Sequence, residues 1–266
     1  MQNFPGVGVS PGRVIGTVDE ASAHSQVHTG AVHLHQGQTW VVSELDLGER
    51  TAVAVRGDPG WTTHARSVSD FRIVRELDHH AWGPLRCSFG EVTVHHQVVS
   101  FLRRLPGGEV LGEHPLDLPA RSLPTKAVWW TLPLELLEAE GVDAGAVPGA
   151  AHAAEHAAIG MLPLFATADR WDIGGVSTDR HPDTGLPTIL IYDGHPGGAG
   201  FAERGFRRVT QWLAATRDAV TSCECASGCP ACIQSPKCGN GNEPLDKAGS
   251  VALLALTLRH ADGGRP

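Results

Sequence analysis

Lysine is almost missing from this chain: 266 residues include only Lys126, Lys237 and Lys247, and arginine supplies nearly all of the positive charge. That bias reads mainly as a codon preference. Positive charge is also short as a whole, since 21 Lys and Arg stand against 29 Asp and Glu for a net −8. Such a balance argues against a protein that coats DNA through a generic basic surface. Local contacts to nucleic acid stay compatible with it, because steering depends on where the charges sit. No apolar run approaches the roughly 20 residues of a membrane span. No signal peptide is evident, so the expected compartment is the cytoplasm and a secreted disulfide framework is not expected. A Walker A loop, a DEAD or DEAH box and an arginine finger are all missing. The chain by itself is therefore not expected to hydrolyse ATP, which needs a phosphate cradle and a metal-holding acid.

What the chain does have is concentrated. Hydrophobic residues at 41% and charged residues at 19% describe a globular protein. Five of its six cysteines, Cys223, Cys225, Cys229, Cys232 and Cys238, fall in the run SCECASGCPACIQSPKCGN. Thiolates are soft ligands, and four of them close a tetrahedral structural site around Zn²⁺. A redox CxxC pair does not bring three further cysteines with it. The contiguous set Cys223, Cys225, Cys229 and Cys232 is the expected ligand set, with Gly228 and Pro230 making the tight turns. Cys238 is then a spare ligand or a neighbouring thiol, and Cys87 a small buried hydrophobe.

The expected fold class is α+β: a β-rich domain over residues 1–124, then a mixed α/β domain over 125–266 stapled by a four-cysteine zinc site. Short runs at Ala31–Leu34, Trp40–Val42, Ala52–Val55, Phe71–Val74 and Val92–Val99 suit a small barrel or sandwich. Leu105 to Pro124 is Pro/Gly-rich and reads as a connection. Thr125–Leu132 and Thr188–Tyr192 read as strands, and Pro133–Glu140 and Val147–Leu164 as helices. A single helix is expected from Phe201 to Val220, with Ala202, Phe206, Val209 and Leu213 on one stripe, and a last one from Leu245 to Leu258.

Two further constellations carry chemistry. In YDGHPGGAGF a glycine-rich turn leads from strand to helix, where exposed N–H groups favour anions. Gly197, Gly198 and Gly200, with Arg204, Arg207 and Arg208 on one helix side, form a candidate phosphate-contacting edge; a tight packing turn is the alternative. In AHAAEHAA, His152, Glu155 and His156 spell H-x-x-E-H, in which the histidines bind zinc and the glutamate acts as base. The alternative is a set of interior polar groups satisfied locally. Asp172 and Asp193 either join His156 in a polar pocket or form turns.

CECASGCPACI, the tail CGNGNEPLDK, IYDGHPGGAGF, RWDIGGVST, the EHA of Glu155–Ala157 and the upstream HTGAVHLHQGQTWVV together resemble one family. It is the C-terminal part of bacterial DEAD/DEAH-box DNA-repair helicases that carry the MrfA-type zinc-binding domain. The resemblance implies a structural zinc on Cys223, Cys225, Cys229 and Cys232. It also implies an ATP-dependent 3′–5′ DNA helicase whose two RecA-like motor domains are not in this chain. The expected function is an accessory module that contacts single-stranded DNA, weakly on its own, or docks a separate motor chain. Two other classes compete: a metal-dependent hydrolase using His152, Glu155 and His156, and a structural interaction scaffold.

Overall fold

A computed structural model describes residues 3–9 and 13–263. The chain forms two compact units, residues 1–68 with 96–120, and residues 69–95 with 121–266.

The first unit holds a five-stranded sheet in the order β2-β1-β5-β4-β3. Its strands are β1 (Asn3–Val9), β2 (Arg13–Asp19), β3 (Val32–His35), β4 (Gln38–Asp46) and β5 (Thr51–Arg56), with helix α1 (Glu20–Gln26) after β2. The β1–β5 pair is parallel, whereas β1–β2, β3–β4 and β4–β5 are antiparallel. Asp19 caps α1 through its side chain, accepting from the Ala21 N–H at 3.0 Å. Val18, Ala23, Val27, Ala31, Val42, Ala52 and Ala54 make a small core. The strands β6 (Thr62–Trp82) and β7 (Leu85–Arg104) are long enough to contribute residues to both units. The stretch Leu105–Pro124 is more than a connection. It contains β8 (Val110–Pro115), which pairs antiparallel with Ser100–Arg104 of β7, and the first residues of β9. Pro106, Gly107 and Gly108 fall at the turn before β8, and Gly112 is accommodated within the strand, paired with Arg103.

The second unit is built on the order β10-β11-β9-β7-β6. β9 is Arg121–Thr131, β10 Ile173–Thr178 and β11 Thr188–Asp193. β11 pairs antiparallel with both β10 and β9. Side chains alternate between sheet faces, and here both faces are covered. Val128, Trp130, Ile189 and Ile191 enter the main core beneath the helices, whereas Ala127, Trp129 and Leu190 join Phe71, Val92 and Val94 on the other side. Each fully buried Leu or Ile of this kind contributes roughly 1.5–3 kcal/mol. The main core also takes in Cys87, fully buried, and burial pushes its thiol pKa far up.

The helices of this unit are α2 (Leu134–Ala139), α3 (Val147–Met161), α4 (Pro163–Ala166), α5 (Phe201–Arg207), α6 (Val209–Ser222) and α7 (Lys247–Gly263). The alanines of α3 are buried on nearly every side, because the helix packs against α6, α7, β10 and β11. Its small side chains admit these neighbours closely. The indole N–H of Trp212 on α6 donates to the Ala158 carbonyl of α3 at 2.9 Å. The single helix expected from Phe201 to Val220 is broken at Arg208, whose backbone leaves helical values (φ −122, ψ 24). Gly205 sits in the last turn before the break, with Leu162 and the Trp212 ring pressed onto its Cα. Helical periodicity cannot register such a break, because Phe206, Val209 and Leu213 are buried on both sides of it.

Candidate metal centre

α6 ends at Cys223, whose extended backbone (φ −74, ψ 123) turns the chain into the cysteine run. Gly228 then takes φ +115, a conformation that side chains rarely adopt, with the Ile233 side chain packed against it. A tight turn follows in which the N–H groups of Cys232, Ile233 and Gln234 all reach the Cys229 carbonyl. These turns gather four sulfurs. Cys223 lies 3.6 Å from Cys225 and 3.6 Å from Cys229, Cys232 lies 3.5 Å from Cys225, and Cys229 lies 3.8 Å from Cys232. Zn–S bonds of about 2.3 Å in a tetrahedron would space the sulfurs about 3.8 Å apart. The observed separations fit that ion, and the sulfur contacts are those of a metal-ligand set. The zinc site of this protein is the four-cysteine cluster.

Groups around the cluster orient it. The Cys229 N–H points at the Cys232 sulfur at 3.3 Å. Lys247, the first residue of α7, donates its ammonium to the carbonyls of Cys223 (2.6 Å) and Cys225 (2.7 Å). Lys237 donates likewise to the Ile173 carbonyl at 2.8 Å, and burial holds its pKa down at about 8. Two of the three lysines therefore tie down loops of this region, a role that composition alone assigned to codon preference.

The glycine-rich turn is not an anion cradle. The buried Asp193 carboxylate at the end of β11 accepts from the N–H groups of Ala199 (2.6 Å), Gly200 (2.8 Å) and Ala202 (2.7 Å). The N–H groups of Gly197 and Gly198 go to the carbonyls of Pro124 and His195. The chain's own carboxylate fills the hollow expected to receive a phosphate, which corrects the loop half of that expectation. Arg204, Arg207 and Arg208 are exposed. Arg207 pairs with Glu203, and Arg208 leaves the helical row because it is where α5 ends. Asp172 closes a capping box with Asp169 over a one-turn 3-10 helix and lies 3.1 Å from His195 Nε2. Asp172 and Asp193 thus shape turns instead of joining His156.

The H-x-x-E-H residues part company. The rings of His152 and His156 meet edge to face, 4.3 Å between centroids, and both converge on Cys238. Glu155 faces β10, where its carboxylate accepts from the Ser177 hydroxyl at 2.7 Å and lies against Gly175. Burial raises its pKa to about 7. The peptidase arrangement needs the carboxylate beside the metal, and the hydrolase reading lacks it there. Lys247 did not stand out in sequence as part of a site, its one signal being a lysine at the end of CGNGNEPLDK, and Asp193 stood out only as a pocket or turn residue.

Comparison with known proteins agrees with this centre. A profile of the MrfA Zn-binding domain matches residues 154–233. The chain is 31% identical over 228 residues to the uncharacterized ATP-dependent helicase YprA of Bacillus subtilis, covering 83% of this chain and 29% of that protein. It is 40% identical over 110 residues to the uncharacterized protein MJ1572.1 of Methanocaldococcus jannaschii, covering 40% of this chain and 98% of that one. Its fold is similar to the crystal structure of the DUF1998 helicase MrfA bound to DNA, with a TM-score of 0.61 and 28% identity over 92% of this chain and 32% of that one. The chain thus spans less than a third of the helicases it matches. With a four-sulfur zinc site inside the matched residues, the chain belongs to the MrfA Zn-binding domain family and is a C-terminal domain of that helicase family.

Proposed function

We propose that this chain is the non-motor module of an ATP-dependent DNA helicase that acts in DNA repair in the cytoplasm. In this reading it contacts single-stranded DNA or docks a separate motor chain, and it turns over no ATP of its own. The observation that carries the reading is its likeness, over 92% of its length, to part of a helicase whose solved structure holds DNA. The zinc-stapled second unit supplies a rigid base, and exposed Arg204, Arg207 and Arg208 supply guanidinium groups suited to bidentate phosphate contact. With the Asp193-filled loop excluded as a phosphate cradle, the arginines alone form this edge. A net charge of −8 makes the isolated module a weak binder.

The test is fluorescence anisotropy on labelled single strands across a salt series, with ATPase assayed in parallel. Each phosphate-contacting arginine replaced should reduce the salt slope by about one unit. Unchanged affinity and slope in the Arg204→Ala, Arg207→Ala, Arg208→Ala triple variant would refute the DNA edge and leave motor docking. ATP turnover that stays with the purified chain would refute the non-motor reading.

A further inference from the structure

We propose that His152, His156 and Cys238 form a second metal site, distinct from the four-cysteine centre. It would hold a divalent ion of the zinc type and keep one coordination position for water or an outside donor. Two of the three donors lie outside the residues that the MrfA Zn-binding domain profile matches.

The three ligand atoms converge within 4.8 Å of one another, and the Cys238 sulfur lies 3.4 Å from His152 Nε2. A tetrahedral ion with its Zn–S bond near 2.3 Å and Zn–N near 2.05 Å places sulfur and nitrogen about 3.6 Å apart. The imidazole tautomers are set for this role. His152 Nδ1 lies 2.8 Å from the Pro244 carbonyl, and His156 Nδ1 lies 2.8 Å from the Ile233 carbonyl. A carbonyl only accepts, so each Nδ1 carries the proton and each neutral ring has its lone pair on Nε2. Metal-bound histidines are held in this way by a carbonyl behind the ring. The Asn242 N–H, in turn, points at the Cys238 sulfur at 3.2 Å.

A plain thiol–imidazole hydrogen bond explains less. One S–H proton serves one Nε2 lone pair and leaves the other facing sulfur without a donor, and buried His156 has little recourse to water. A cation satisfies all three donors at once. Thiolate with two imidazoles selects zinc-type ions over magnesium or calcium. Because Glu155 faces Ser177, no general base stands beside the ion, and its effect is to clamp α3 to the loop that carries Cys238.

Native mass spectrometry of the full chain, reduced, zinc-loaded and desalted, should show two zinc ions. Cys238→Ser and His152→Ala should each show one. A single ion in the wild type would overturn the site, and two ions retained in both variants would overturn these donors. If the variants fail to fold, cobalt titration of the wild-type apoprotein still decides. The two equivalents should give two different tetrahedral visible spectra, one of them with charge transfer from a single thiolate. A second equivalent that absorbs only as aqueous cobalt refutes the proposal.

Discussion

The Lys247 ammonium lies 2.7 Å from the carbonyl oxygen of Cys225 and 3.5 Å from the same residue's sulfur. Four thiolates around Zn²⁺ leave two negative charges on the cluster, and Lys247 sets a cation against one edge of it. The same contacts pin the start of α7 to the zinc loop.

Lys247→Met should therefore weaken zinc retention roughly 10- to 100-fold, the usual cost of losing a group that supports a metal ligand. Competition against a chromogenic chelator measures it, with the fold intact at saturating zinc. Cys229→Ser sets the limit, because a ligand lost from a structural site removes folding free energy directly. Retention equal to wild type in Lys247→Met would mean that the lysine only fastens the loop.

Asp193 satisfies three N–H groups, those of Ala199 and Gly200 in the turn before α5 and that of Ala202 in its first turn. A buried donor left unpaired costs about 1–3 kcal/mol. Asp193→Ala should accordingly destabilise the second unit by at least about 3 kcal/mol, read as a lower urea midpoint. Asp193→Asn should cost less, since its amide oxygen still accepts. A midpoint unchanged in the alanine variant would refute this role.

In the first unit, His28 is fully buried, its Nδ1 on the Thr29 carbonyl and its ring 4.6 Å from that of Phe101. Burial lowers its pKa from 6.5, against the raising effect of the Thr29 hydrogen bond. The unfolded chain therefore takes up the proton first. Stability from this residue is level above pH 6.5 and falls as the pH drops through that value toward the folded pKa. Melting temperatures from about pH 7.5 to about pH 5 should decline in the wild type, with a shallower decline in His28→Phe. Parallel curves would show that another group carries the acid sensitivity.

Legibility in the sequence followed the range of each interaction. TILIY announced itself as a buried strand because its own run of apolar residues fills both sheet faces. The zinc ligands were equally plain, since their spacing is itself the chelating geometry. β1 and β2 were not seen. Glycine and proline interrupt their pattern, and β1 is defined by backbone pairing on both sides. The glycine turn read as a candidate phosphate edge, but its N–H groups are met by Asp193, which only the folded turn brings onto them. Cys238 looked spare because its partners, His152 and His156, lie on a helix that tertiary packing places beside it.

The four zinc sulfurs all come from the short span between Cys223 and Cys232, whereas Cys238 and His152 are separated by 86 positions. Closing so small a loop carries little entropic penalty, whereas distant contacts must wait for the chain between them to organise. The cysteine knuckle is thus able to take its ion while the sheet and α3 are still unformed. Metal uptake is free to lead the folding of the second unit instead of following it, with α7 docking through Lys247 onto a knuckle already made.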